Sequence, residues 1–328
     1  MGANVVSGPQ AHWGTCVKSH RSRAAAHPEP CLKTKYYLQL VALSALWGAS
    51  FLLIRIASPL LGPDVLAALR IAMASVTLTL LMRLMKHSWP RQHWRELALL
   101  GFLSVAAPFV LFAWAALHLP AGYSALLNST AVMFGILASA MLKVERLTLR
   151  KLAGCACGFV GVSLIVGLGP IQPSAKVILA ALACIAASAC YGCSTPLMKR
   201  TLTRMQPLQM AAGIHVLALT MMLPIAAWSW PQAQFTPAAL AAVAVMGVAT
   251  SGLAYWLHLR IMVHVSTAAA TSPLFLIPVF GVSWGHLFLG EPLGPGIYSG
   301  GALVLLASAL VTGFNPLQKW QAVASAKP

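Results

Sequence analysis

Few residues in this chain have chemistry to offer, and they stand inside long apolar runs. Trp47 and Ser50 lie in "ALWGASFLLIRI" (Ala45 to Ile56), Tyr191 and Ser194 in "ACYGCSTPLMKR" (Ala189 to Arg200) and Arg70 in "LRIAMA". Asn128, Ser129 and Thr130 fall in "LLNSTAVMF", and Thr271 and Ser272 come just before Pro273. A polar group at membrane depth needs a partner on another helix or a wet cavity. Asn128 is the leading hydrogen bonder for a small-molecule substrate, with Thr271 and Ser272 next. Trp47 and Tyr191 stand deeper than an interfacial aromatic belt requires. That makes them candidates for a cavity wall, with packing beside Gly48 and Gly192 as the competing reading. Ser50 and Ser194, one turn further on, share their faces. Arg70 offers a planar fork of donors suited to a carboxylate or phosphate. It is also only about six residues into its run, roughly 9 Å of helical rise, so a snorkelling or interhelical anchor is the alternative.

Other chemistry is missing. The acids are Glu29, Asp64, Glu96, Glu145 and Glu291, and none of the last four lies near the middle of an apolar run. A buried carboxylate for proton-coupled cation export is therefore not expected. Glu145 and Glu291 read as caps on helix ends or as holders of neighbouring basic loops. No paired carboxylates, no HExxH and no Cys/His spacing of a zinc site occur. No catalytic residue, metal or cofactor is predicted, and an intramembrane enzyme is a distant alternative. His215, His258 and His286 read as structural. Five of the seven cysteines (Cys155, Cys157, Cys184, Cys190, Cys193) lie inside apolar runs, and the count is odd, so a disulfide framework is not expected.

The elements that must position these residues follow from composition. Of 328 residues, 59% are hydrophobic and 8% charged, with mean hydropathy +0.79; soluble domains run near 45–50% and about 25%. The net charge of +17 would suggest nucleic acid in a soluble protein. Here the cations cluster between apolar runs, which points to a lipid bilayer as partner and not to nucleic acid. Runs long enough to cross a bilayer, roughly 20 helical residues, occur at about 38–57, 65–82, 97–117, 123–142, 152–168, 177–197, 210–228, 238–257, 267–289 and 297–314. An all-α membrane protein with ten transmembrane helices is predicted, because lipid admits only helices or closed barrels.

With the amino terminus placed in the cytoplasm, nineteen Lys and Arg fall on that side. They are Lys18, Arg21, Arg23, Lys33 and Lys35, then Arg83, Lys86, Arg91 and Arg95, Lys143, Arg146, Arg150 and Lys151, Lys199, Arg200 and Arg204, Arg260, Lys319 and Lys327. Arg55 and Lys176 alone fall outside. The bias places both termini on the cytoplasmic side, and the plasma (cell inner) membrane is the expected location. Residues 1–35 and 316–328 read as cytoplasmic tails, the first disordered.

The chain also repeats. At an offset of 144, Ala45/Ala189, Trp47/Tyr191, Gly48/Gly192, Ser50/Ser194, Leu53/Leu197, Arg55/Lys199 and Pro63/Pro207 pair. At 146, Gly101/Gly247, His118/His264, Glu145/Glu291 and Gly154/Gly300 pair. Two five-helix halves result, 36–169 and 177–315. Five is odd, so the halves insert in opposite senses, and the loops agree: "KVERLTLRK" is basic where its partner "GEPLGPG" has no cation. Inverted repeats are a transporter architecture.

These residues resemble the EamA-type family of the drug/metabolite transporter superfamily. The features that carry the resemblance are A-x-[WY]-G-x-S in the first helix of each half, "LRIAMA" in the second span, and "VERLT" and "GEPLG" after the fourth and ninth. The resemblance covers about 36–315. It implies a carrier moving small organic solutes, amino acids among them and often outward, through a central cavity. A multidrug or cationic-compound efflux carrier is the alternative. Val132 stands where the family commonly has Pro, while Pro278 keeps that position in the ninth span, so a kink in only one half is expected. Gly154-x-x-x-Gly158 and Gly296-x-x-x-Gly300 permit close contact of helices 5 and 10, within the chain or across a homodimer.

Overall fold

The computed structural model describes residues 34–143, 148–168, 172, 174–263 and 273–312. Among them there is no strand, and ten helical stretches follow one another. These are α1 (Thr34–Leu61), α2 (Pro63–Leu84), α3 (Arg91–Ala115), α4 (Ala121–Met141), α5 (Leu149–Leu168), α6 (Ala175–Leu202), α7 (Pro207–Gln232), α8 (Pro237–Met262), α9 (Pro273–Leu289) and α10 (Pro295–Thr312). Seven of them, α1 to α4 and α6 to α8, are long and apolar enough to cross a membrane. The tails expected at 1–35 and 316–328 lie outside the described residues, save Thr34 and Lys35.

Local chemistry sets the helix ends. Gly62 takes a left-handed φ of 76° between α1 and α2, and Pro63 opens α2, where a missing N–H costs nothing. The Thr236 side chain accepts from Ala239 N at the start of α8, and Ser174 does the same for Val177 N at the start of α6. Large apolar side chains are as exposed as they are buried: Trp228 is 86% exposed, Val76 68% and Leu287 69%. Helices apolar on every side belong in a low-dielectric surround.

The packing follows a rule. α1 packs on α9 and on α8; α6, five helices later, packs on α4 and on α3. α2 packs on α8 and α7 on α3, while α2–α7, α4–α9 and α5–α10 are mutual pairs. Exchanging each helix for the one five places away leaves these neighbour relations unchanged. The closest approaches obey the same exchange. A Cβ on Gly48 would lie 2.6 Å from Phe280 Cβ and 3.0 Å from Gly281 N; one on Gly192 would lie 2.6 Å from Phe134 Cβ and 2.5 Å from Gly135 N. In α5 and α10 the close pair is Gly161 and Gly300, each facing the other's carbonyl within one chain.

Two features depart from the expected helices. α4 breaks at Ser129 and Thr130 although it has no proline: Ser129 N and Thr130 N reach only three residues back, to the Leu126 and Leu127 carbonyls, both at 3.1 Å. The Thr130 hydroxyl donates to the same Leu127 carbonyl at 2.8 Å, competing with the helical ladder. The expectation that Val132 leaves this helix unbroken is therefore corrected. α3 and α8 each contain a π-helical stretch, Phe102–Ala106 and Val245–Leu253, at corresponding places in the two halves. Glu291 does cap a helix, and it is a different one: Ala121 N and Gly122 N, at the start of α4, donate to its carboxylate oxygens at 2.7 and 3.1 Å. Glu145 lies outside the described residues.

Candidate functional site

One cavity of about 470 Å³ lies among the helices, within the range of small-molecule pockets. Trp47, Ser50, Arg70, Asn128, Tyr191 and Ser194 all line it. Thr271 and Ser272 lie outside the described residues; Pro273, which follows them, is on the wall. Much of the lining comes in pairs at the repeat offsets: Trp47/Tyr191, Ser50/Ser194 and Ile54/Met198 from α1 and α6, and Ser104/Thr250, Phe109/Tyr255 and Phe112/His258 from α3 and α8.

The aromatic wall is held from behind. The Trp47 indole N–H donates to the Thr250 carbonyl at 3.1 Å, and the ring meets His258 edge-on at 5.0 Å. Tyr191 stacks on Phe112 at 6.1 Å, which in turn meets Phe51 edge-on. The Tyr255 hydroxyl lies 3.2 Å from Ser104 Oγ, and its ring meets buried His215 at 4.9 Å. Ser194 turns its hydroxyl back to the Tyr191 carbonyl at 2.8 Å.

Arg70 does not snorkel. It is 7% exposed and points inward from α2. Its Nε donates to Ser251 Oγ at 2.7 Å and its Nη2 to Thr250 Oγ1 at 3.3 Å, both in the π-helical stretch of α8. Phe109 covers the guanidinium at 3.9 Å from the ring centre. Among the described residues no carboxylate accompanies it, and the cavity wall contains no acid. Desolvating an unpaired ion costs several kcal/mol, offset here in part by the two hydroxyls and the ring, a cation–π contact worth about 0.5–2 kcal/mol.

Three polar atoms on the wall, Ser50 Oγ, Asn128 Oδ1 and His258 Nδ1, are buried without a hydrogen-bond partner among the described residues. Buried polar atoms left unpaired are rare, and these three have almost no surface open to the cavity. The lining runs to Lys151, Lys199 and Met262 at one end. At the other it stops at Ile54, beyond which Arg55 donates to the Ala116 carbonyl and Ser58 Oγ to the Ala113 carbonyl at 2.5 Å, closing α1 on α3.

Thr250, Ser251, Ser104 and Phe109 were not singled out from the sequence. Thr250 and Ser251 carried the signal used for Asn128, a polar pair inside an apolar run. His258, read as structural, is on the wall.

Comparison with known proteins places this architecture. The model of the "EamA-like transporter family" matches residues 34–167 and again 178–313. A "Probable terminal-alkyne amino-acid exporter" of Streptantibioticus cattleyicolor is 28% identical over 278 residues, covering 83% of this chain and 91% of that protein. An uncharacterized transporter of Archaeoglobus fulgidus is 24% identical over 280 residues, 84% and 98% of the two chains. The Bacillus subtilis transporter YoaV is 19% identical over 275 residues, 82% and 94%. One crystal structure shares the fold at TM-score 0.60 and 16% identity, covering 83% of this chain and 98% of its own.

Proposed function

The chain belongs to the EamA-like transporter family, and from that premise we propose that it is an alternating-access carrier for amino acids or similar small polar solutes, working as an exporter. The observation that carries this reading is the cavity: both halves build it, and its wall combines aromatic rings with the Arg70 guanidinium and the polar side chains of Ser50, Asn128 and Thr250. Ten spans in two inverted five-helix halves, with both termini on the cytoplasmic side of the plasma membrane, are part of the proposal. The duplicated family match and the exchange-invariant neighbour relations support it. In an inverted pair, conformations open to opposite sides differ mainly by which half adopts which arrangement, so their energies are close. The name of the Streptantibioticus relative supports both an amino-acid substrate and outward movement.

Trp47, Ser50, Asn128, Tyr191 and Ser194 act as the wall that contacts the solute, with Arg70 as a fixed positive group, and Thr271 and Ser272, which precede Pro273 in the sequence, complete the proposed set. Transport of a panel of labelled amino acids into or out of vesicles containing the protein tests this. Asn128→Ala and Trp47→Ala should each reduce the rate for the transported member. Normal transport by both variants would remove them from the path.

A further inference from the structure

We infer that Arg70, oriented by Thr250 and Ser251, is a receptor for a carboxylate on the solute, so that the cavity takes carboxylate-bearing solutes with an apolar body and refuses organic cations. This rests on the cavity being the solute site, and it names the substrate class.

The argument begins with what Arg70 lacks. A guanidinium has five N–H donors, and Arg70 engages one at Nε and one at Nη2. Nη1 donates to no group among the described residues. No described acid lines the cavity to balance its charge. Buried charges are ordinarily paired, and a carboxylate on the guest supplies such a counter-charge.

The two hydroxyls decide how the guest is received. Thr250 Oγ1 sends its own hydrogen to the Met246 carbonyl at 2.8 Å, which leaves lone pairs for Arg70. Ser251 Oγ accepts from Nε at 2.7 Å, so the side-on edge formed by Nε and Nη2 is occupied. Phe109 covers one face. What remains is the end-on edge, one free hydrogen on Nη2 and two on Nη1, the pattern that takes both oxygens of a carboxylate. Phe112, Tyr191 and Trp47 supply an apolar wall for the rest of the molecule. An organic cation would meet like charge and find no acid among the described lining residues. Thr250 and Ser251 are thus positioning residues.

The test is binding to the purified full-length protein in detergent, read as a shift in melting temperature. Three probes share a phenyl ring: 3-phenylpropanoate, an anion; L-phenylalanine, a zwitterion; and phenethylamine, a cation. The two carboxylates should stabilise the protein and phenethylamine should not. Arg70→Lys keeps the charge but loses the fork and should weaken carboxylate binding about 10-fold or more, the usual value of a charge-assisted hydrogen bond. Ser251→Ala keeps both charge and fork but releases Nε. It should weaken carboxylate binding severalfold and raise the KM for labelled L-phenylalanine in vesicles with little change in maximal rate. A purely structural serine would instead lower the melting temperature of the ligand-free protein and leave KM alone. Stabilisation by phenethylamine equal to that by the carboxylates, no stabilisation by either carboxylate, or unchanged carboxylate binding in Arg70→Lys would each overturn the inference. Carboxylate-selective binding without transport would count against the carrier reading and leave this one standing.

Discussion

Replacing Gly192 with alanine puts a methyl carbon where three atoms already stand: Gly135 N at 2.5 Å, Phe134 Cβ at 2.6 Å and the Ala131 carbonyl oxygen at 2.7 Å. Two of these are backbone and the third is the stem of a side chain, so no flexible end can swing away. Non-bonded contacts settle near ~3.5–4.0 Å, so α4 and α6 must part by roughly 1 Å. Overpacking of this kind costs about 1–3 kcal/mol, and the better helix propensity of alanine returns at most about 1 kcal/mol. The control lies on the other side of the same contact. A Cβ on Gly135 would meet the Gly192 carbonyl oxygen at 3.6 Å and its Cα at 3.7 Å, ordinary van der Waals distances. Gly135→Ala should therefore be neutral or stabilising by up to about 1 kcal/mol. Apparent melting temperatures of the two purified variants in detergent decide the matter. Gly192→Ala should melt below the unaltered protein and Gly135→Ala at or above it. Equal melting of the two variants, or the reverse order, would refute the packing argument.

Glu291→Ala removes the acceptor for two backbone N–H groups at the start of α4 and should cost about 1–2 kcal/mol, the value of a helix cap, read again as a lower melting temperature. Trp47→Phe keeps an aromatic wall but removes the donor to the Thr250 carbonyl. A loss of about 0.5–1.5 kcal/mol is expected, with transport reduced less than by Trp47→Ala. The Arg204–Glu96 pair, at 2.7 Å but 43% and 40% exposed, should matter little. Glu96→Gln is expected to shift stability by less than about 1 kcal/mol, and salt titration should erase even that.

How much of this was legible beforehand depends on what each residue touches. Trp47, Tyr191, Ser50 and Ser194 could be found because a duplicated chain marks equivalent positions twice, and two matched polar groups at membrane depth need a common explanation. Glu291 could be given a capping role from its place after a helix, but not the helix it caps, since Ala121 lies far away in sequence. Arg70 was ambiguous because depth along a helix does not say which way a side chain points. Its contacts with Ser251 and Thr250, some 180 residues on, decide that. The break in α4 was missed because proline was the only breaker considered, and a threonine hydroxyl capturing a carbonyl does the same work. The π-helical stretches leave no mark in composition.

The scaffold and the wall differ in symmetry. Gly48 and Gly192, the paired π-helical stretches and the matched helix contacts are indifferent to which half is which. The polar groups are not. At the position equivalent to Arg70 the second half has Ile214, and opposite Thr250 and Ser251 the first half has Ser104 and Val105. Where α2 sends a guanidinium to α8, its counterpart α7 sends His215 against Tyr255, whose hydroxyl meets Ser104 on α3. A two-fold scaffold allows two conformations of similar energy, but a solute held between identical walls would have no fixed orientation. Confining the guanidinium and its positioning hydroxyls to one arrangement gives the guest a single heading. Giving Arg70 the residue found at its equivalent position, Arg70→Ile, should therefore impair transport of a monocarboxylate by removing the one group that fixes its heading. Transport with undiminished affinity in that variant would show that the asymmetry of the wall has no part in recognition.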